Sequence, residues 1–236
     1  MKILALESSA VACSAALCED ETLVAQAFQN NGLTHSRTLM PMCGDLLKNC
    51  GAVPADVDVV AVAAGPGSFT GLRIGVAAAK GLAWSLGKPC AGVSTLESMA
   101  WTAAHMDMEI CPVMDARRGQ VYNARFLGVD GAPVRLTEDR AISLDDLGAE
   151  LKNAGKPQIL VGDGAALCYN TLKERGLDLR LAPEHLRFQS AWGVARCALE
   201  QARAGALTDA DGLVPSYHRL SQAERERLEK EKNKGE

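Results

Sequence analysis

The sequence is short of aromatic rings, which make up 4% of it, so its cores must be packed by aliphatic side chains and its backbones can lie close together. It has no C-x-x-C pair, although it carries eight cysteines. That absence argues against a zinc knuckle or a redox dithiol, and the cysteines read as small buried hydrophobes in a reducing compartment. No apolar run reaches the ~18 residues a membrane span needs. The opening Met-Lys-Ile-Leu-Ala-Leu-Glu meets a charge at Glu7, too early for a secretory core, and the expected location is the cytoplasm. A surplus of basic charge is also missing. With a net charge of −4, the chain is not built to hold nucleic acid by counterion release on its own.

Histidine is equally sparse. His35, His105, His185 and His218 lie far apart and form no H-E-x-x-H or similar ligand pair. The expectation is therefore no metal, no cofactor and no catalytic residue.

What is present is a regular alternation. The first hundred residues read as three strands, a helix, and then strand and helix twice more. One helix is expected to start between Ser36 and Leu39, with Pro41 in its first turns and Gly51 as its stop. A second covers Leu72–Leu86. After residue 107 two strands, Ile110–Asp115 and Val121–Leu127, flank the polar turn Ala116–Gln120. Val161–Ala165, V-G-D-G-A, reads as a strand turning into a helix. Ser190 opens a further helix and Gly205 closes it. The expected division is 1–106, 107–220, with the last helix of the second part packing back on the first, and a charged tail over 221–236. In that tail Ser221 and Glu224 stand at capping-box spacing.

The most informative stretch is G-P-G-S-F-T-G-L-R-I-G, Gly65 to Gly75, between a hydrophobic strand and a helix. It is not a P-loop, because Leu72-Arg73 replaces the required Lys-Ser/Thr, and Thr70 replaces the third glycine of a dinucleotide fingerprint. Ser68 lacks the flanking glycines of a hydrolase elbow. Gly65, Pro66, Gly67, Ser68 and Thr70 read as a tight turn whose Ser68 or Thr70 caps the helix. Beyond it, Gly71, Gly75, Ala78, Ala79 and Leu82 share one helical face. A glycine inside a helix costs ~1 kcal/mol relative to alanine, so this face lets another backbone approach, either the chain's own sheet or a partner's helix.

G-P-G-S-F-T-G-L-R-I-G, with L-A-L-E-S-S at the N-terminus, M-D-A-R-R-G-Q-V-Y at Met114–Tyr122 and P-S-Y-H-R at Pro215–Arg219, resembles the TsaB (YeaZ) family. The resemblance extends over nearly the whole chain. It implies the two-lobed α/β fold of actin, hexokinase and Hsp70, with mixed sheets of βββαβα type. It also implies a non-catalytic paralogue of TsaD, the subunit that transfers the threonylcarbamoyl group to adenosine 37 of tRNA. The expected partners are a TsaD-like catalytic subunit, a TsaE-like ATPase joining through the complex, and tRNA only indirectly, with a homodimer in isolation and no membrane. The expected partner interface is His35, Leu39, Met42, Gly71, Gly75, Ala78, Ala79 and Leu82.

Two departures bear on activity. The paired metal-binding histidines of the catalytic paralogue align with Thr95 and Met99 here, which supply no nitrogen ligand. Ala10-Val11-Ala12-Cys13 stands where its first phosphate loop is polar and acidic. A stand-alone actin-like ATPase or glycoprotease-like (M22) peptidase is the alternative these residues disfavour.

Overall fold

A computed structural model describes residues 1–219. The Ser221–Glu224 helix start and the charged tail lie outside the described residues. In chain order the elements are β1 Lys2–Glu7, β2 Cys13–Glu19, β3 Thr22–Gln29, α1 His35–Asn49, β4 Val59–Gly65, α2 Phe69–Leu86, β5 Cys90–Ser94 and α3 Thr95–Ala100. They continue with β6 Glu109–Arg117, β7 Gln120–Asn123, β8 Phe126–Val129, β9 Ala132–Arg135, β10 Arg140–Ser143 and α4 Leu144–Lys152. The last are β11 Gln158–Val161, α5 Ala165–Leu172, β12 Leu179–Leu181, α6 Glu184–Arg187 and α7 Ala191–Arg203.

Two mixed sheets result. The first has the order β3-β2-β1-β4-β5, antiparallel across β1, β2 and β3 and parallel from β1 to β5. The second runs β10-β7-β6-β11-β12, with the β8–β9 hairpin attached to β6. Strand alternation sorts the core. Leu4 and Leu6 of β1 face α1 and α2, while Ile3 and Ala5 face α7. On the second sheet Cys111 and Val113 face α4 and α5, and Ile110 and Met114 face α3. Helices α3 and α7 therefore lie between the sheets, so close that a side chain on Gly193 would strike the Ser98 carbonyl. This is the two-lobed actin and hexokinase type of fold, as the family resemblance implied.

Local chemistry moves several boundaries. Helix α1 begins at His35, which puts Pro41 seventh in the helix, on its exposed side. Helix α2 begins at Phe69 rather than Leu72, because the Ser68 hydroxyl accepts from the Gly71 amide and starts the helix earlier. The expected helix after β5 is shorter, and Trp101–Ala103 tightens into a 3-10 turn. There Ser98 and Thr102 bond back to the carbonyls of Thr95 and Met99.

The single strand expected over Val121–Leu127 is two. Strand β7 pairs with the far half of β6 and β8 with its near half, and the break falls opposite Pro112, which has no amide to donate. The buried Asn123 amide fills the gap, donating to the carbonyls of Pro112 and Ala124, each at 3.0 Å.

The small-residue face of α2 is turned inward. A side chain on Gly71 would run into the Ser8 carbonyl, and one on Gly75 into the Ser8 hydroxyl and Val62. Ala79 is fully buried in the same layer. Gly75→Leu is therefore expected to destabilise the fold by about 3 kcal/mol or more, since the clash falls on β1 and β4. Urea denaturation followed by circular dichroism measures this, and a midpoint equal to that of the unmodified chain contradicts it.

Candidate functional site

A cleft of about 930 Å3 opens between the two sheets. One wall is Ser9, Ala10 and Val11 after β1, with Gly67, Ser68, Phe69 and Thr70 of the glycine turn. The other is Asp115, Arg117 and Arg118 of the β6–β7 hairpin, with Asp163 after β11. Ser216 to Arg219 close one side.

Two amides of the glycine turn are spent on the protein itself. The Ser68 amide donates to the Ser9 carbonyl at 2.6 Å, and the Gly71 amide to Ser68 Oγ at 3.3 Å. A Cβ on Gly67 would lie 2.5 Å from the Ser9 carbonyl oxygen, so the space a phosphate would take in a cradle is filled by the end of β1. The Gly65–Pro66 peptide is cis and Gly65 has φ 136°. Ser68 is the cap and Thr70 faces the cleft.

The carboxylates tell the same story. Glu7 is fully buried at the end of β1, and its Oε1 accepts from the Ser9 amide at 2.6 Å. Its Oε2 has no protein partner among the described residues. Burial pushes its carboxyl up to about 7, opposed by the Ser9 hydrogen bonds and reinforced by the charge of Asp163. Burial also raises Asp163, opposed by the Gln189 amide that donates to it at 2.7 Å. Asp115 accepts from the Arg117 amide of its own hairpin at 2.7 Å. These residues do not fit a magnesium-bound triphosphate. The first loop offers apolar side chains, the Ser68 and Gly71 amides are engaged, and the buried acid holds its proton up to about pH 7. Among the described residues, no group of three His, Cys, Asp or Glu side chains could hold a metal ion.

Of the residues read from the sequence as a partner interface, Leu39, Met42, Gly71, Gly75 and Ala79 are buried within this chain, and His35, Ala78 and Leu82 are half-buried. Leu39 and Met42 are buried in the core between α1 and the first sheet, and His35 Nε2 bonds the Ala10 carbonyl at 2.7 Å. Gly71, Gly75 and Ala79 face the chain's own β1 and β4, while Ala78 and Leu82 are half-buried against the same core. The physical reason is that an apolar helix stripe covers the nearest sheet first. The surface left outside is different: Ala77, Gly81 and Trp84 on α2, with Met40, Pro41 and Gly44 on α1. Trp84 is 79% exposed, the most exposed of the large hydrophobic side chains among the described residues. Thr95 and Met99 are buried on α3.

Sequence reasoning missed the joint role of Glu7, Asp163 and Gln189, which are distant in the chain and share no motif. It noted Pro215–Arg219 without placing it in the cleft.

A cleft between two βββαβα-type sheets, with a glycine turn on one wall and a polar hairpin on the other, defines a two-lobed protein of the actin and hexokinase class. The chain matches the family of TsaD, tRNA N6-adenosine threonylcarbamoyltransferase, over residues 29–178. It is 35% identical over 236 residues to the tRNA threonylcarbamoyladenosine biosynthesis protein TsaB of Bacillus subtilis, covering 98% of this chain and 100% of that protein. The structure of YeaZ from Pseudomonas aeruginosa superposes with a TM-score of 0.78 at 26% identity, over 92% of this chain and 99% of that one. At the level of fold alone, component A of the (R)-2-hydroxyglutaryl-CoA dehydratase of Acidaminococcus fermentans is similar. Its TM-score is 0.52 at 12% identity, over 86% of this chain and 99% of that one. The chain belongs to the TsaB (YeaZ) family.

The buried acid makes a prediction. Glu7 binds its proton in the folded state up to about pH 7, but in the unfolded chain only up to about 4.5. Between those values the folded state holds more protons, so stability falls as pH rises through the window, by on the order of 3 kcal/mol. Glu7→Gln keeps an acceptor for the Ser9 amide and cannot ionise. Denaturation between pH 4.5 and 8 should show a falling stability for the native chain and a flatter profile for the variant. Parallel profiles refute the assignment.

Proposed function

We propose that this chain is a non-catalytic subunit of the machinery that makes N6-threonylcarbamoyladenosine at adenosine 37 of tRNA. It supports a TsaD-like threonylcarbamoyl transferase by pairing with it through the outer surface of α1 and α2. A TsaE-like ATPase joins through the complex, and tRNA meets the chain through its partner. The biosynthetic role comes from the relationship to the TsaB proteins. The reading of no independent chemistry is supported by the glycine turn packed on Ser9 and by the burial of Glu7.

One observation carries the choice of surface. A Cβ on Gly44 of α1 or Gly81 of α2 would meet nothing within 4 Å in this chain, and both glycines are exposed inside helices. Each weakens its helix by ~1 kcal/mol with no internal need for it. A second backbone approaching from outside supplies that need, and the exposed Trp84 one turn beyond Gly81 gives the same surface an aromatic anchor. In isolation a second copy would cover it, forming a homodimer.

Mixing the chain with the TsaD-like subunit of its own organism should give a heterodimer in size-exclusion chromatography. Gly81→Leu should weaken that association about tenfold or more, with circular dichroism unchanged, because the added side chain is free in the monomer and blocks the approach. The isolated chain with saturating magnesium-ATP should show no stoichiometric turnover. Failure to associate, or undiminished association by the variant, removes this surface from consideration, and clear turnover restores the stand-alone ATPase.

A further inference from the structure

The motif Pro215-Ser216-Tyr217-His218-Arg219 has no part in the proposed partner surface. The chain reaches it after α7 by running back along the first sheet. Cys90 and Thr208 exchange backbone hydrogen bonds at 2.7 and 3.0 Å. The Ser216 amide donates to the Ala64 carbonyl at 2.7 Å, beside the end of β4. Gly65 must be glycine here, since any side chain would strike the Ser216 carbonyl oxygen. The Tyr217 ring then stacks on Phe69, with centroids 4.7 Å apart and planes at 29°. Arg73 lies over the Phe69 ring at 3.9 Å and donates through Nε to Tyr217 Oη at 3.1 Å. All of these contacts are with the first sheet and α2.

Arg219 crosses to the other side. Its guanidinium donates to the Ala116 carbonyl and, at 3.5 Å, to that of Arg117, in the hairpin between β6 and β7. That hairpin turns through three successive left-handed residues, Arg117 at φ 67°, Arg118 at 57° and Gly119 at 71°. For the two arginines this conformation is unfavourable and persists where the surroundings hold it. The carbonyls of such a turn need a donor, and Arg219 is one that reaches them from the opposite wall of the cleft.

We infer that Ser216–Arg219 is a clasp between the lobes. Tyr217 anchors it on the first lobe through Phe69 and Arg73. Arg219 grips the hairpin tip of the second lobe, setting the distance between the cleft walls and the geometry of the tip. Tyr217 and Arg219 are positioning residues, and the rest of the motif is the short strap that joins them.

The hairpin tip carries its own reporter, because trypsin cuts after arginine. In the full-length chain the clasp should protect Arg117 and Arg118. Arg219→Ala should raise the rate of cleavage at the tip about tenfold, in proportion to the population of the opened hairpin, while the main unfolding transition persists. Tyr217→Ala should do the same although the ring's hydrogen bond and stack are with Arg73 and Phe69, and Tyr217→Phe, which keeps the stack, should have a smaller effect. Should Arg219→Ala lose its cooperative transition, Arg219→Lys takes its place, with an intermediate rate expected. An unchanged rate in the arginine variant used overturns the clasp. So does acceleration by that variant without any in Tyr217→Ala, which would make Arg219 a purely local cap.

Discussion

The rest of the molecule depends on how closely the end of β1 lies against the first turns of α2. The carbonyls of Ser8 and Ser9 occupy the space that side chains would take at Gly71 and Gly67. The Ser8 hydroxyl donates to the Gly71 carbonyl at 2.9 Å, and Ser68 donates its amide to Ser9. Once that contact is made, β1 and β4 are in register, α2 is pinned on one face of the sheet, and Glu7 is pushed into the interior. The glycine turn is thus a joint between a strand and a helix. Its resemblance to a phosphate loop follows from a shared need, the close approach of another group to the backbone, met here by the protein's own main chain.

Much of this was legible in the sequence, where local chemistry settles local structure. Nearly continuous apolar runs marked β1 and β4, and Ser190, Gly51 and Gly87 punctuate helices as their residue types require. The small-residue face of α2 was also legible as a site of close approach. What the spacing did not carry was the identity of the neighbour, because a sheet and a partner helix ask for the same small residues. Ser8 and Val62, lying against Gly71 and Gly75, answer that question for the inner part of the face.

The candidate site was the least legible part. Glu7, Asp163 and Gln189 come from three widely separated segments and meet through topology, not through spacing. The break between β7 and β8 was hidden for a related reason: its cause, Pro112, sits on the neighbouring strand. The exposed glycines Gly44 and Gly81 were equally silent, since a glycine in a helix does not announce which side it faces.

One consequence concerns synthesis. Helix α7 covers the face of the first sheet formed by Ile3, Ala5 and Ala16, and its first amide, that of Ala191, donates to Ser14 at 2.9 Å. The two halves of that layer are 177 residues apart in the chain. At ribosomal rates of ~5–20 residues per second the interval is roughly 10 to 40 seconds. Throughout it the nascent first lobe exposes one apolar side to solvent or to whatever shields it there. The first lobe therefore cannot finish folding before the second is made, and birth order and folding order part company in this chain.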